Sequence, residues 1–367
     1  MVHPLAVGAE TFGDAATSRV GGAKRPARGG VVLVTGAGID TKLLAPLKER
    51  HGLKVLYLPG PLDETELGHR LGQHVRAYLH GGEERATGGV LRKATSLQVV
   101  AFVGVGYENF VDVPTADELN IAVTNTPGAA TDAVAAFTVG QIINANWRIP
   151  HRLGRRVPGW GDPGDMPHEL GACRVGILGM GANGQRIAEI LRDGFDATVA
   201  YHSRTRKEDV ERRLGLSYRG SVSELAEGSD ILVVMVPETD ETRSMIDHSV
   251  IKLMPWGSVI VNTARPAIVD PHALYEGLSD GRVRMAVFDG FYDLDSDAGL
   301  KLTRDFADRL LVTGHIASHT QETMNRMITQ AVASIDNYLT NGTDEHEVGK
   351  RRDTFGTVLR VTCGRSS

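Results

Sequence analysis

Short apolar runs alternate with helix-like segments along most of the chain, beginning at Val31. Such runs are typical of parallel strands buried on both faces, and their alternation with helices is typical of parallel α/β units. The first series of predicted strands is VVLVTG, KVLYL, VRAYL, VVAFVG and IAVTN, and the second is RVGILG, TVAYH, ILVVMV, SVIVN, MAVFD and LLVTGH. The pattern therefore predicts an α/β protein with two halves, each built on a parallel sheet.

Three longer segments connect and close these halves. The pattern predicts helices at about 41–50, 131–148 and 321–341, and a Gly/Pro-rich loop at 157–165 before the second series. Residues 1–28 are rich in Gly, Ala and Arg without a sustained period, so we expect a disordered extension there. Residues 349–367 are expected to form a weakly ordered tail.

Composition narrows the functional classes. The 367 residues exceed one ordinary compact core, which favours two domains. The net charge of -5 gives no reason to expect nucleic acid or an anionic membrane as a partner, and every apolar stretch is far shorter than the ~20 residues needed to cross a bilayer. Two cysteines, Cys173 and Cys363, cannot form a disulfide framework or a zinc site alone. We expect a cytoplasmic protein that acts on a small molecule without a metal.

A glycine turn, GMGANG at 179–184, carries the clearest chemical signal. It follows the apolar run VGIL and leads into the helical stretch QRIAEIL, which is the context of a dinucleotide-binding turn. Gly179 would permit the tight turn, Gly181 the approach of a pyrophosphate, and Gly184 close packing of helix on strand. Ala182 and Asn183 would begin the helix whose N-terminus faces the phosphates. The alternative is a structural turn in a protein that binds no nucleotide.

The end of the next predicted strand bears on the choice of nicotinamide cofactor. NAD sites usually place Asp or Glu there, but this chain has His202 followed by Ser203, Arg204 and Arg206. Guanidinium groups bind phosphate through charge-assisted hydrogen bonds, so the segment favours NADP over NAD. The alternative is a solvated basic loop in an NAD-dependent protein.

From about Leu97 to Glu347 the chain resembles the D-isomer-specific 2-hydroxyacid dehydrogenase family. The resemblance rests on ordered motifs: GVGYEN (104–109), TNTPG (124–128), the glycine turn, VPETDET (236–242), VNTAR (261–265) and GHIAS (314–318). The segment YHSRTRK resembles the glyoxylate and hydroxypyruvate reductase branch. The resemblance implies two Rossmann-like domains with a cleft between them: a flavodoxin-like substrate domain, 29–126 plus 316–348, and a cofactor domain, 127–315. It also implies a homodimer formed through the cofactor domain.

Reduction of a 2-oxo acid needs a hydride donor, a cation for the carboxylate and ketone, and an acid for the new alkoxide. Arg265 fits the cation and His315 fits the acid, in the positions that the family motifs give them. The resemblance implies that Val105, Gly106 and Tyr107 bind the substrate carboxylate. It further implies cofactor contacts from motif residues, namely Val236, Pro237, Thr242, Thr263, Ala264 and Asp289.

The chain departs from the family at the carboxylate that normally pairs with the catalytic histidine. Five residues beyond Asp289 stands Leu294, flanked by Asp293 and Asp295. Three readings follow: a one-residue shift brings Asp293 or Asp295 to the imidazole; His315 works without a carboxylate; or the substrate, such as a phosphonate, carries the missing charge. A carboxylate beside an imidazole raises its pKa and fixes its orientation, whereas leucine does neither.

Two further features stay open at this stage. Pro266 follows the arginine where the family has glycine, which biases Arg265 toward extended backbone angles. The loop at 78–84 contains His80 and Gly81, which are candidates for substrate contact, with a solvent-exposed loop histidine as the alternative. The alternative functions are oxidation of a hydroxyphosphonate or another small oxyanion, and a nicotinamide-sensing binding protein similar to the corepressors that share this fold.

Overall fold

The computed structural model describes residues 29–150, 166–292 and 296–349. The expected extension at 1–28, the Gly/Pro-rich loop at 157–165 and the tail beyond residue 349 lie outside these ranges. So do Asp293 and Asp295, the two candidate partners of the catalytic histidine.

The first half of the chain forms a sheet whose five main strands are parallel. They are β1 (Val31–Thr35), β2 (Lys54–Leu58), β3 (Val75–His80), β4 (Val99–Phe102) and β5 (Ala122–Thr124). Their order in space is β2-β1-β3-β4-β5. This is the flavodoxin-like order, in which the carboxyl ends of the strands border a ligand crevice.

The second half forms a sheet in which all strand pairs are parallel. Its strands are β6 (Arg174–Leu178), β7 (Thr198–His202), β8 (Ser217–Tyr218), β9 (Ile231–Val234), β10 (Ser258–Asn262), β11 (Val283–Asp289) and β12 (Leu310–Thr313). The order is β12-β11-β10-β9-β6-β7-β8, so the direction of winding reverses between β6 and β9. In open α/β sheets a ligand crevice lies at such a switch point.

Helices cover these sheets. They are α1 (Ala45–His51), α2 (Glu64–Leu71), α3 (Gly88–Leu91), α4 (Val113–Glu118), α5 (Thr131–Trp147), α6 (Ala182–Phe195), α7 (Glu208–Leu214), α8 (Val222–Glu227), α9 (His248–Ile251), α10 (Pro271–Asp280), α11 (Asp297–Asp305) and α12 (Gln321–Asn341). Many begin where a side chain accepts a hydrogen bond from a first-turn N–H, as Asp270 and Thr320 do. Several end at a glycine with left-handed backbone, such as Gly342.

The last segment of the chain returns to the first sheet. Helix α12 packs against β3, β4 and α1, and the closing strand β13 (Glu347–Val348) pairs antiparallel with β5. Helix α5, by contrast, packs on α6 and contributes to the core of the second sheet. The prediction of two parallel sheets is confirmed. Strands β8 and β13 were not predicted, because two residues are too few to show a period.

Each half has buried apolar clusters on both faces of its sheet, which is why its strands are apolar throughout. Within the described ranges, no helix is both long and apolar enough to cross a membrane. The same ranges bring together no group of three His, Cys, Asp or Glu side chains able to hold a metal ion.

Candidate active site

The glycine turn has the geometry that a dinucleotide requires. Gly179 has φ of +104°, and a Cβ there would lie 2.6 Å from the carbonyl oxygen of Met235. A Cβ on Gly184 would overlap the carbonyl oxygen of Gly179, so glycine is needed where helix α6 passes strand β6. A Cβ on Gly181 would meet nothing within 4 Å, which leaves open space beside the backbone. The residues present therefore fit a pyrophosphate.

The N-terminus of α6 faces the same space. No side chain caps it at Gly181, and Ala182 is exposed while Asn183 is half-buried. The uncapped N–H groups and the positive end of the helix dipole suit an anion. Val236 lies beside the turn, with its Cγ1 3.0 Å from where a Cβ on Gly179 would be.

The residues of the basic segment after β7, 202–206, differ in whether they already have hydrogen-bond partners in the protein. His202 is half-buried and its Nδ1 lies 2.9 Å from the backbone oxygen of Arg219, while the Ser203 hydroxyl donates to the backbone oxygen of Thr205. Arg204 is exposed, and no hydrogen bond or ion pair ties it to another described residue. Arg204 is therefore available to an incoming phosphate.

Arg206 is already committed to another group, which the sequence did not lead us to expect. Its guanidinium donates to both carboxylate oxygens of Glu211, at 3.0 and 2.8 Å, and lies over the Tyr218 ring. Tyr201 donates to the same carboxylate at 2.7 Å. The hydrogen bond from Arg206, followed by that from Tyr201, lowers the pKa of Glu211 to about 2. The expectation that Arg206 binds a 2′-phosphate does not fit this pairing.

Three other expected cofactor contacts turn out to stabilise the loops of the groove. The Thr242 hydroxyl donates to the Pro237 carbonyl at 2.7 Å and fixes the turn between them. Thr263 is 7% exposed and its hydroxyl lies 2.7 Å from that of Thr138. The amide of Ala264 donates to the Asn262 side chain.

Arg265 reaches across from the second sheet to the first. Its backbone is extended, with φ of −137° and ψ of 138°, as the following Pro266 predicts. The buried side chain of Asn262 holds the turn at both ends, because it donates to the Arg265 carbonyl at 2.8 Å and accepts from Ala264. A Cβ on Gly106 would overlap the Arg265 Nη2. The guanidinium therefore lies directly against the Gly104–Gly106 loop.

The Gly104–Gly106 loop offers backbone N–H groups as hydrogen-bond donors. Its carbonyls are held by Asn125, which donates to the oxygen of Val105 at 3.2 Å, and by Thr126, which donates to that of Gly104 at 2.9 Å. Among the described residues, no acceptor pairs with the N–H groups of Val105 and Gly106. Tyr107 instead packs its ring on the apolar cluster beneath the loop. Two free N–H groups beside a guanidinium form a site for a carboxylate.

Asp289 holds the loop that presents His315. Its carboxylate, 2% exposed, accepts hydrogen bonds from the Thr313 hydroxyl at 2.7 Å and from the amides of Ile316 and Ala317 at 2.8 Å. His315 itself has φ of +57°, a left-handed conformation that is costly for a non-glycine residue. These contacts give the Asp289 carboxylate a structural part in holding the His315 loop, and its expected cofactor contact stays a prediction.

His315 is exposed, and the Nδ1 of its ring lies 3.4 Å from the backbone oxygen of Asp289. Partial removal from water lowers the pKa of His315, and the positive charge of Arg265 lowers it further against the opposing effect of Asp289. The charge of Arg265 therefore acts on the His315 ring. Within residues 29–150, 166–292 and 296–349, no carboxylate forms an ion pair with His315.

His80 does not line the cleft, and it is not an exposed loop residue either. It ends strand β3 with 0% exposure, stacked on Tyr78 and edge-on to Phe102. Both expectations for His80 are therefore wrong in this conformation. Gly81 follows it at the carboxyl edge of the sheet, where its amide donates to the Thr35 carbonyl at 3.1 Å.

Two supporting residues escaped the sequence reasoning. Asn262 lies within the VNTAR motif, and an amide side chain at the end of an otherwise apolar strand was the available signal. Glu84 lies buried next to His80, and no sequence pattern marks a glutamate in a polar segment as buried.

Comparison with known proteins agrees with this geometry. Residues 140–359 match the family described as D-isomer specific 2-hydroxyacid dehydrogenase, NAD binding domain. A glyoxylate reductase of Aeropyrum pernix is 39% identical over 254 residues, 67% of this chain and 74% of that protein. One of Korarchaeum cryptofilum is 33% identical over 246 residues, 65% of this chain and 72% of that protein.

Solved structures of 2-hydroxyacid dehydrogenases have a similar fold. A putative D-isomer specific 2-hydroxyacid dehydrogenase of a Polaromonas species has a TM-score of 0.75 at 28% identity and covers 86% of this chain and 99% of its own. The D-lactate dehydrogenase of Aquifex aeolicus, solved with NAD and lactic acid, has a TM-score of 0.72 at 25% identity and covers 84% and 95%. The chain therefore belongs to the D-isomer-specific 2-hydroxyacid dehydrogenase family and is an oxidoreductase that uses a nicotinamide cofactor.

Proposed function

We propose that the protein reduces a small 2-oxo acid at C2, with NADPH as the preferred cofactor. Residues 29–126 and 316–348 would form the substrate domain and residues 127–315 the cofactor domain. The observation that carries the proposal is the approach of the Arg265 guanidinium to Gly106, beside two backbone N–H groups without protein acceptors. It supports a carboxylate site at the Gly104–Gly106 loop.

In this mechanism Arg265 binds the substrate carboxylate and polarises the ketone, and the N–H groups of Val105 and Gly106 hold the second carboxylate oxygen. A nicotinamide cofactor held at the glycine turn would supply the hydride for C2. As the carbonyl electron pair moves to oxygen, His315 donates its proton to that oxygen from Nε2, because Nδ1 faces the Asp289 carbonyl. The product is the 2-hydroxy acid, and His315 is left neutral.

For the absent glutamate, our first proposal is that Asp293 or Asp295 reaches His315. The second is that the Asp289 carbonyl alone orients the ring, which favours a lower pH optimum; the third is a substrate that carries the charge. Substituting Asp293 and Asp295 separately with Asn tests the first. If neither substitution moves the pH profile of kcat/KM, the shifted pair is wrong.

The preference for NADPH is supported by the free guanidinium of Arg204 and by a histidine, instead of a carboxylate, at position 202. Loss of a charge-assisted hydrogen bond costs about 1.5–3 kcal/mol, so Arg204→Ala should lower kcat/KM for NADPH by roughly 10- to 100-fold. Values for NADH should stay unchanged. Arg206→Ala is the matched control, because Arg206 is paired with Glu211. Equal values with both cofactors in the unmodified enzyme would refute the preference.

The overall proposal is tested by assaying a panel of 2-oxo acids and phosphonates with NADPH and NADH. The relatives named as glyoxylate reductases support including glyoxylate, and the resemblance of the segment YHSRTRK supports including hydroxypyruvate. We expect turnover of at least one 2-oxo acid and its loss in Arg265→Ala. Turnover of a hydroxyphosphonate alone would replace the substrate class, and tight cofactor binding without any turnover would favour a sensing protein.

The family resemblance also supports a cytoplasmic homodimer that contacts neither nucleic acid nor membrane. Light scattering of the purified protein tests the dimer, and a monomeric mass would refute it.

A further inference from the structure

A buried polar cluster lies behind the substrate side of the cleft. Tyr78, His80 and Glu84 are all inaccessible or nearly so, with the Tyr78 hydroxyl donating to Glu84 Oε1 at 2.9 Å. The same hydroxyl lies 3.1 Å from that of Thr35. His80 Nε2 is 3.9 Å from Glu84 Oε1, and neither ring nitrogen of His80 has a hydrogen-bond partner. We call these three residues, Tyr78, His80 and Glu84, the backing cluster.

The backing cluster is expensive to bury. Glu84 Oε2 also lacks a partner, and burial lowers the pKa of His80 to about 4. Buried polar groups without partners destabilise a fold, and apolar side chains of similar size would fill this space at lower cost. The contribution of these side chains to packing therefore does not explain why polar residues occupy this buried position.

The backing cluster contacts one glycine turn at this edge of the sheet directly and the other through Phe102. A Cβ on Gly82 would overlap the Glu84 carboxylate, so that carboxylate lies directly against the Gly81–Gly82 turn. His80 packs edge-on to Phe102, and a Cβ on Gly104 would lie 2.7 Å from the Phe102 ring. Glu84 thus supports the turn after β3, while His80 acts through Phe102 on the loop of Val105 and Gly106.

We propose that Glu84 is a positioning residue for substrate: it fixes the Gly81–Gly82 turn, which lies beside the segment leading into the Gly104–Gly106 loop, since a Cβ on Gly81 would lie 3.7 Å from Val103 Cγ2. This inference rests on the proposed function, because it names a second wall of the same site. The Tyr78 hydroxyl fixes Glu84 in place, so the carboxylate cannot yield freely when the turn is pressed against it.

The test is a double-mutant cycle between Gly82 and Glu84. Gly82→Ala places a methyl group where the carboxylate lies and should displace the turn, so KM for the 2-oxo acid should rise about 10-fold while KM for NADPH stays within about twofold. With Glu84→Ala in place the space is free, and the same methyl group should change KM less than about threefold. Gly89→Ala, where the nearest atom is 3.9 Å away, is the matched control and should change neither constant.

Tyr78→Phe provides a second background, because it releases the carboxylate without removing it. If Glu84→Ala does not fold, the penalty of Gly82→Ala should still shrink in Tyr78→Phe. An unchanged KM in Gly82→Ala, or an equal penalty in all backgrounds, would overturn the proposal. Absence of 2-oxo acid turnover in the unmodified enzyme would instead overturn the proposed function.

Discussion

Substitution of Asp289 tests whether the loop that carries His315, the proposed acid, must be held in place for catalysis. The carboxylate accepts three hydrogen bonds from the loop around His315, and we consider its replacement by asparagine. The amide keeps one acceptor oxygen but turns an NH2 group toward a backbone N–H. One charge-assisted bond is lost and one buried donor is left unpaired.

The size of the effect follows from these contacts. Hydrogen bonds to charged groups contribute about 1.5–3 kcal/mol, and an unpaired buried donor costs about 1–3 kcal/mol, so Asp289→Asn should lower stability by about 2.5–6 kcal/mol. For a unit of this size that corresponds to a fall in Tm of about 5–24 °C. Without the full set of hydrogen bonds to Asp289, His315 can leave its left-handed backbone conformation, so kcat should fall by about 100-fold or more.

The assay combines differential scanning fluorimetry with steady-state kinetics at saturating cofactor. Thr313→Val is the graded control, since it removes one donor and leaves the two backbone N–H bonds to the carboxylate intact. It should cost about 1.5–3 kcal/mol, the loss of one bond to a charged group, and reduce kcat only slightly. Unchanged Tm and kcat in Asp289→Asn would refute the positioning role of Asp289.

Three further predictions concern the rest of the site. Gly181→Ala should weaken NADPH binding at least about 10-fold without lowering Tm, because the new methyl group would enter only the space that the pyrophosphate needs. Gly194→Ala, where a Cβ would also meet no atom within 4 Å, is the control and should leave NADPH binding unchanged in the same titration. Asn262→Ala should lower kcat/KM by roughly 10- to 100-fold with intact NADPH affinity, because the turn that carries Arg265 loses both of its side-chain hydrogen bonds. The proposed reduction needs protonated His315, so kcat/KM for the reduction should fall as the pH rises through the pKa of His315, which lies below the ordinary 6.5. Arg265→Met should raise the pKa of His315, because it removes a neighbouring positive charge, and NMR titration of the imidazole ring measures this change.

Most of the architecture could be read from the chain because strand and turn signals are local. The apolar runs predicted both sheets, and the context of GMGANG predicted the fit of Gly179 and Gly184 between helix and strand. Pro266 likewise predicted the extended backbone of Arg265. These features depend on residues close together in sequence, where backbone sterics decide the outcome.

The errors concern what side chains contact. Arg206 was expected to meet a phosphate but pairs with Glu211, one turn into the next helix, and nothing in the sequence decides between two anionic partners. His80 was expected in a loop, yet strand β3 extends one residue further and buries it among rings contributed by distant segments. Nor does any sequence signal show that the loop of His315 folds back onto the Asp289 carboxylate. Such choices depend on tertiary packing, which sequence spacing does not encode.

In the proposed reaction, hydride passes to C2 of a 2-oxo acid that Arg265 holds, and His315 protonates the new alkoxide. The decisive experiment incubates the enzyme with NADPH carrying two deuterium atoms at C4 and a substrate 2-oxo acid, then locates the label in the product by NMR. We expect deuterium at C2 of a D-2-hydroxy acid, formed by the unmodified enzyme and not by Arg265→Ala or His315→Gln. A product without deuterium at C2, or equal label transfer by both variants, would contradict the proposed reaction.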